Sequence, residues 1–209
     1  MEMVERDIAG RGVRDARVLA AMRSVAREAF VPAARREQAC DDRPLPIGAG
    51  QTISQPYIVA LMCEALTLTC SDHVLEIGTG SGYGAAVLSQ LAAQVDTVER
   101  IAELAEQAAR LLATLSLGKV RVHCADGTLG WQDAAPYNAI AVTAAGPAVP
   151  QALLAQLAPG GRLVMPVGSS LHLQQLVRVT CVGPGDYRTE SLCDVAFVPL
   201  IGAQAWPEA

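Results

Sequence analysis

His73-Val74-Leu75-Glu76-Ile77-Gly78-Thr79-Gly80-Ser81-Gly82-Tyr83-Gly84 is a short apolar run that breaks into glycines at alternate positions. Val74, Leu75 and Ile77 suit a strand buried on both faces, and the glycines then let the backbone pass close to a ligand with no Cβ in the way. From Tyr83 helical character resumes through Ala85, Ala86, Val87, Leu88 and Leu91, so the turn ends at a helix N-terminus with unpaired N–H groups. Strand, glycine turn and helix in that order predict a nucleotide-type pocket at the head of an α/β sheet.

The glycine spacing alone leaves the ligand open, because Gly80, Gly82 and Ala85 also satisfy the dinucleotide pattern G-x-G-x-x-A. Glu76 argues against a dinucleotide: a pyrophosphate there would meet a like charge at close range. A phosphate-free cation suits the position better. S-adenosylmethionine, with its sulfonium, its ammonium and a ribose in need of an acceptor, is such a ligand. A tight turn beneath a packed helix, with no ligand, would use the same glycines.

Outward from the turn, strands and helices alternate. Residues 95–99 read as a second strand ending in Glu99, placed either to hold ribose hydroxyls or to cap the following helix, 101–115. Residues 120–124 make a third strand with Asp126-Gly127 beyond it. Asp126 is a candidate acceptor for an adenine amine, or a plain turn aspartate. Residues 137–142 are a fourth strand running into the small residues 143–147, which leave room for a substrate. A helix over 150–157 leads through Pro159-Gly160-Gly161 to a fifth strand, 162–167. The runs 173–182 and 193–200, joined by Gly183-Pro184-Gly185-Asp186, predict an antiparallel pair, and residues 203–209 show no pattern. The expected fold is a doubly wound, mostly parallel α/β sheet with helices on both faces and an antiparallel strand near the C-terminus.

Before the glycine turn, residues 13–25 carry apolar positions at helical spacing. The polar stretches 35–38 and 41–43 read as solvated surface. Residues 44–57 form an irregular segment rich in Pro, Gly and small polar groups, of the kind that carries function. A helix follows to Leu66 with Pro56 near its first position, which makes Ser54 either a helix cap or a functional group.

The 209 residues suit one domain: 1–70 as a helical extension bearing the loop 44–57, 71–168 as the cofactor-binding core, and 169–209 as a β-rich part. A net charge of −5 offers no footprint for nucleic acid, and no apolar run approaches the ~20 residues of a membrane span. The N-terminus lacks the basic and apolar regions of a signal peptide, so a cytoplasmic protein is expected. The 6 cysteines contain no C-x-x-C pair and read mostly as small buried hydrophobes. His73, His123 and His172 are too scattered to suggest a metal site.

The run Leu75 to Tyr83 resembles the first motif of class I S-adenosylmethionine-dependent methyltransferases. Pro46-Ile47-Gly48-Ala49-Gly50-Gln51-Thr52-Ile53-Ser54-Gln55-Pro56-Tyr57 is similar to the signature loop of the protein-L-isoaspartate O-methyltransferase family. Val98-Glu99-Arg100, Asp126-Gly127 with Gly130-Trp131, Val142-Thr143-Ala144-Ala145, Pro159-Gly160-Gly161-Arg162-Leu163 and Phe197-Val198-Pro199-Leu200 follow in that family's order, so the resemblance covers nearly the whole chain. It implies a class I methyltransferase-like Rossmann fold, S-adenosylmethionine as cofactor, and methyl transfer to the free carboxylate of L-isoaspartyl residues in damaged proteins and peptides. Carried over residue by residue, Ser54 is the active-site serine. Thr52, Ile53, Thr143 and Gln174 lie toward the substrate. Glu76, Gly78, Thr79, Gly80, Ser81, Gly82, Glu99 and Arg100 surround the methionine and ribose, and Asp126 and Gly127 the adenine. Ala125 stands where the family usually has glycine. No His and Asp arrangement is apparent to activate Ser54 as a nucleophile, so its expected role is to orient a carboxylate. The rival readings are a nicotinamide oxidoreductase, a nucleic-acid methyltransferase, and a carboxyl methyltransferase for aspartyl residues of one dedicated peptide.

Overall fold

A computed structural model describes residues 2–170 and 173–208, so His172 and Ala209 lie outside the described residues. A π-helical turn, Val4–Ile8, precedes α1, Ala16–Ser24. Asp15 sets where α1 starts, its side chain accepting from the N–H groups of Arg17 (2.8 Å) and Val18 (3.4 Å) as an N-cap does.

The segment 44–57, expected to be irregular, contains a tight antiparallel pair: β1, Leu45–Gly48, and β2, Gln51–Ile53, with Leu45 opposite Ile53. Ala49 (φ 49°) and Gly50 (φ 70°) make the turn, both left-handed as a two-residue hairpin demands. Proline masked this element in the sequence, although a two-stranded sheet is all edge and tolerates Pro46. The chain then enters α2, Pro56–Leu66, with proline at its start.

The main sheet begins with β3, His73–Ile77, followed by α3, Tyr83–Ser89, β4, Gln94–Glu99, α4, Ala102–Thr114, β5, Val120–Cys124, β6, Tyr137–Val142, α5, Gln151–Ala155, β7, Leu157–Ser170, β8, Leu173–Gly183, and β9, Asp186–Val195. Strand order is β5-β4-β3-β6-β7-β8-β9. The first five run parallel, and β8 and β9 add antiparallel strands. Chain order reverses between β3 and β6, and ligands bind such sheets at that reversal, beyond the carboxyl ends of the strands.

Val74, Val95, Ala139, Ala141 and Val164 pack on one face with the N-terminal segment, α2 and α3. Leu75, Ile77, Val98, Ile140 and Leu163 pack on the other with α5 and the C-terminal segment. Burial on both faces is what makes β3 and β6 continuous apolar runs.

Three expectations are corrected. The fifth strand is longer than 162–167: β7 already pairs at Leu157 opposite Tyr137, then slips so that Arg162 faces Ala139. Pro159-Gly160-Gly161 is therefore a bulge within the ladder, Gly160 at φ 76°, rather than a turn before it. The returning antiparallel strand is Asp186–Val195 and not 193–200, because the tight turn puts Gly183 directly opposite Asp186. As the sheet's edge strand, β9 exposes much of its length, and this hid it from an apolar reading. Cys40, Cys70 and Cys124 are exposed while Cys63 and Cys181 are buried. The exposed thiols sit in turns or at a strand end.

Residues 197–208 return across the sheet's carboxyl edge. Ala145 N–H donates to Val198 O and Leu200 N–H to Ala145 O, both at 2.8 Å, and Trp206 Nε1 donates to Ala145 O at 3.1 Å. His73 and His123, far apart in sequence, converge on Asp96, with Nε2 to carboxylate distances of 2.5 and 2.6 Å.

Candidate active site

Two limbs of the chain meet at the sheet's carboxyl edge, one bearing Ser54 and the other the glycine crest between β3 and α3. The hairpin β1–β2 delivers Thr52, exposed, and Ile53, buried, to the mouth of α2. Ser54 is half-buried. The N-cap of α2 is Gln55, with no side-chain cap of its own, so Ser54 does not cap the helix, and its Oγ makes no hydrogen bond among the described residues. The cap comes from Asp42, whose Oδ1 accepts from Tyr57 N–H at 2.9 Å and Oδ2 from Gln55 Nε2 at 2.7 Å. Arg27, 2% exposed, donates from Nη2 to Ser54 O at 3.0 Å.

On the other limb, Gly78 holds φ 93°, and a Cβ there would run into Thr143 Oγ1. That hydroxyl donates to Gly78 O at 2.8 Å and to Ile77 O at 3.0 Å, so Thr143 buttresses the crest as well as lining the cavity. A Cβ on Gly84 would likewise strike Glu76 Oε1. Glu76 is 1% exposed. Its Oε2 accepts from Thr97 Oγ1 at 2.6 Å, so Thr97 Oγ1 in turn accepts from Thr79 Oγ1 at 2.7 Å. Oε1 accepts nothing from the described residues. Burial pushes this carboxyl up to about 8, against the opposing pull of the Thr97 hydrogen bond, with no cation among the described residues to compensate it.

Glu99, at the end of β4, ties the crest to the next helix: Oε2 accepts from Gly80 N–H at 2.9 Å and Oε1 from Ile101 N–H at 3.0 Å. The second bond falls on the residue before α4 rather than on a helical N–H, and Glu99 also lines the second cavity beside Arg100, Ile101 and Gly127. Arg100 pairs with Glu208 at 3.0 Å. The first cavity is shared by Ile53, Ser54, Glu76, Thr79 and Ser81, and Thr52, Gly78, Gly80 and Thr143 lie on both. Gly82 is buried against Leu112 and Ala108 beneath the crest and lines neither.

Asp126 faces elsewhere. Its Oδ1 accepts from Thr128 N–H (2.8 Å) and Thr128 Oγ1 (2.7 Å), and Oδ2 from Ala203 N–H (2.8 Å). Burial works to raise this carboxyl, but these hydrogen bonds hold it below the usual range. Of the pair, only Gly127 reaches the second cavity. Gln174, 3% exposed, also stands off. Its amide accepts from Phe197 N–H at 2.7 Å and donates to Phe197 O at 3.1 Å, which sets the segment whose Val198, Pro199, Leu200 and Ile201 wall the second cavity.

Sequence reading missed Arg27, Asp42, Thr97 and this wall. Asp42 had one available signal: a helix opening Gln55-Pro56 carries no capping side chain, so an acceptor has to come from elsewhere. Nothing local marks Arg27 as buried.

Residues 1–205 match the family described as protein-L-isoaspartate(D-aspartate) O-methyltransferase. The chain is 62% identical over 206 residues to a protein-L-isoaspartate O-methyltransferase of Rhodopseudomonas palustris, covering 99% of this chain and 94% of that one. It is 60% identical to a second from Pelobacter propionicus, covering 98% and 91%. Among solved structures, a protein-L-isoaspartate O-methyltransferase superposes with TM-score 0.89 at 28% identity, covering 98% of this chain and 67% of the other. A Plasmodium falciparum protein solved with S-adenosyl-L-homocysteine gives TM-score 0.83 at 23% identity, over 96% of this chain and 97% of that one, a likeness of fold. The chain belongs to the protein-L-isoaspartate(D-aspartate) O-methyltransferase family.

Proposed function

We propose that the protein transfers the methyl group of S-adenosylmethionine to the free carboxylate of L-isoaspartyl residues in proteins and peptides, a repair reaction, with Ser54 orienting the acceptor. One observation carries the assignment of roles: the unengaged Ser54 hydroxyl and the glycine crest line the same cavity.

The residues present suit the cofactor. Glu76 and Glu99 supply carboxyl groups where a cationic methionine and ribose hydroxyls need acceptors, and Gly78 and Gly80 line both cavities with bare backbone. Thr79 and Ser81 flank them, with Arg100 and Gly127 at the far end of the second cavity. Asp126 acts through the Ala203 contact, fixing the tail beside that end. When bound, the cofactor supplies an electrophilic methyl carbon on a sulfonium.

The chain's own part is alignment. A carboxylate acceptor is already ionised near neutral pH, so no side chain has to take a proton. Ser54 Oγ–H donates to one acceptor oxygen and leaves the other directed at the crest, with Thr52 and Ile53 against the peptide. Such positioning is worth roughly 7–11 kcal/mol in the best cases. Val59, Met62 and Leu66 make the inner wall apolar, and a water-poor wall favours a transition state in which opposite charges cancel.

In this scheme residues 1–70 bring the serine limb, 71–168 the cofactor core, and 169–209 the closing wall. A net charge of −5 argues for protein rather than nucleic acid as substrate, and no described helix is long and apolar enough to cross a membrane. Six unbridged cysteines suit the reducing cytoplasm.

The test uses labelled S-adenosylmethionine and matched peptides containing isoaspartate or aspartate. Base-labile label on the isoaspartyl peptide alone is expected, and equal labelling of both, or of neither, would overturn the reading. Ser54→Ala should lower kcat on the order of 10–100-fold with S-adenosylhomocysteine affinity unchanged. Loss of both together would make the serine a scaffold residue.

A further inference from the structure

A buried guanidinium is costly unless its charge and donors are used. Arg27 is 2% exposed and is met by carbonyls rather than a carboxylate. Nη1 donates to Ala39 O (2.6 Å) and Asp41 O (3.4 Å), and Nη2 to Arg43 O (3.1 Å) and Ser54 O (3.0 Å). Its Cζ also lies 5.8 Å from the centre of the Tyr83 ring, and Tyr83 is the first residue of α3, where the glycine crest becomes helix. One side chain therefore bonds the serine limb and lies beside the base of the cofactor limb.

Asp42 grips the same segment from the other side. It holds Gln55 and Tyr57 through the two bonds described above, sits at the electropositive start of α2, and is itself held by Arg11 at 2.8 Å. The chain is clamped at the Ser54 carbonyl and at the two positions Gln55 and Tyr57 beyond it, while the serine hydroxyl makes no hydrogen bond among the described residues. A loop that needed only stability could satisfy these carbonyls with water at the surface. Gathering them on one planar fork beneath the site fixes a distance as well.

We propose that Arg27 and Asp42 are positioning residues for methyl transfer: together they hold Ser54 at the separation from the glycine crest at which an acceptor carboxylate lines up with the donor. The proposal rests on Ser54 orienting the acceptor. Lysine cannot replace Arg27, since a single ammonium does not span diverging carbonyls, and alanine at 42 removes both side-chain bonds to the serine segment, leaving the bond from Gln55 Nε2 to Asp42 O at 3.0 Å.

The experiment measures kcat and KM for an isoaspartyl peptide, and Kd for S-adenosylhomocysteine, in Arg27→Lys, Asp42→Ala and the double variant. A displacement of the order of 1 Å costs about 100-fold, so each single variant should lose about 10–100-fold in kcat with KM and Kd changed by less than about threefold. The double variant should lose less than the product of the two, because the residues share one segment. Wild-type kcat in both single variants overturns the proposal. So does a parallel fall of kcat and cofactor affinity, which would mark a general scaffold. If Arg27→Lys does not yield folded protein, Asp42→Ala, a change at a side chain 13% exposed, decides on the same terms. Failure of the underlying reading is distinguishable, because the wild type would then label no isoaspartyl peptide, and the positioning proposal falls with it.

Discussion

Glu76→Gln should make the protein more stable in alkali and worse at its task. The buried Glu76 carboxyl is pushed from 4.5 to about 8, chiefly by burial and with a smaller contribution from Glu99. The sign follows from proton counting: between those values the folded protein keeps a proton that the unfolded chain has released. Stability is then fully present below about 4.5 and is lost as pH rises through about 8. The interval corresponds to about 5 kcal/mol at 1.36 kcal/mol for each decade of proton affinity, and with the side chain 1% exposed solvent screens little of it. Glutamine keeps an acceptor oxygen for Thr97 Oγ1 and carries no titrating proton. Urea unfolding followed by Trp131 and Trp206 fluorescence should give similar midpoints for the two proteins near pH 5, and near pH 9 a variant more stable by several kcal/mol, about 5 at most. The variant should bind S-adenosylhomocysteine more weakly, having lost the carboxyl group proposed to hold its ammonium. A stability difference that does not change between the two pH values would refute the argument, since it would place the cost in packing and not in charge.

Gln174→Leu leaves Phe197 N–H without its partner and should cost about 1–3 kcal/mol. It should also weaken S-adenosylhomocysteine binding by loosening the wall at 198–201, read by titration calorimetry beside thermal unfolding. Asp96→Asn should destabilise the protein near neutral pH by a similar 1–3 kcal/mol. Burial works to raise Asp96, but the hydrogen bonds of His123, His73 and Gln94 hold it below 3.8. Its stabilising effect is therefore present above 3.8 and lost as pH falls through the folded value. Acid unfolding should accordingly show the gap between wild type and variant closing below about pH 3.8, and a constant gap would count against the charge account.

The parts of the fold legible in the sequence were those whose pattern follows from burial. β3 and β6 are covered on both faces, so Val74, Leu75, Ile77 and Ile140 announced strands within a residue of where they lie. β9 has solvent on one side, and its sequence carried almost no apolar signal. The hairpin β1–β2 was missed for a different reason: composition around Pro46 and Gly48 spoke of irregularity, and only Ala49 and Gly50 at positive φ show how two residues reverse the chain.

The site divides in the same way. The crest glycines, Glu76 and Glu99 were readable because each answers a requirement confined to one βα unit, close approach of backbone or a carboxylate at a strand end. Arg27 and Asp42 answer a requirement that spans the fold. The carbonyls of Ala39, Arg43 and Ser54 exist as a cluster only after β1 and β2 have folded back toward α2, so no window of sequence contains the reason for an arginine at 27. Asp126 shows the converse. Its place after β5 was legible, yet its oxygens are claimed by Thr128 and by Ala203, a tail residue 77 positions later in the chain. Local chemistry thus marks the groups proposed to bind, and the long-range hydrogen bonds decide where those groups stand. Substitutions at Arg27 or Asp42 should therefore change rate before affinity, whereas those at Glu76 should change affinity and pH dependence together.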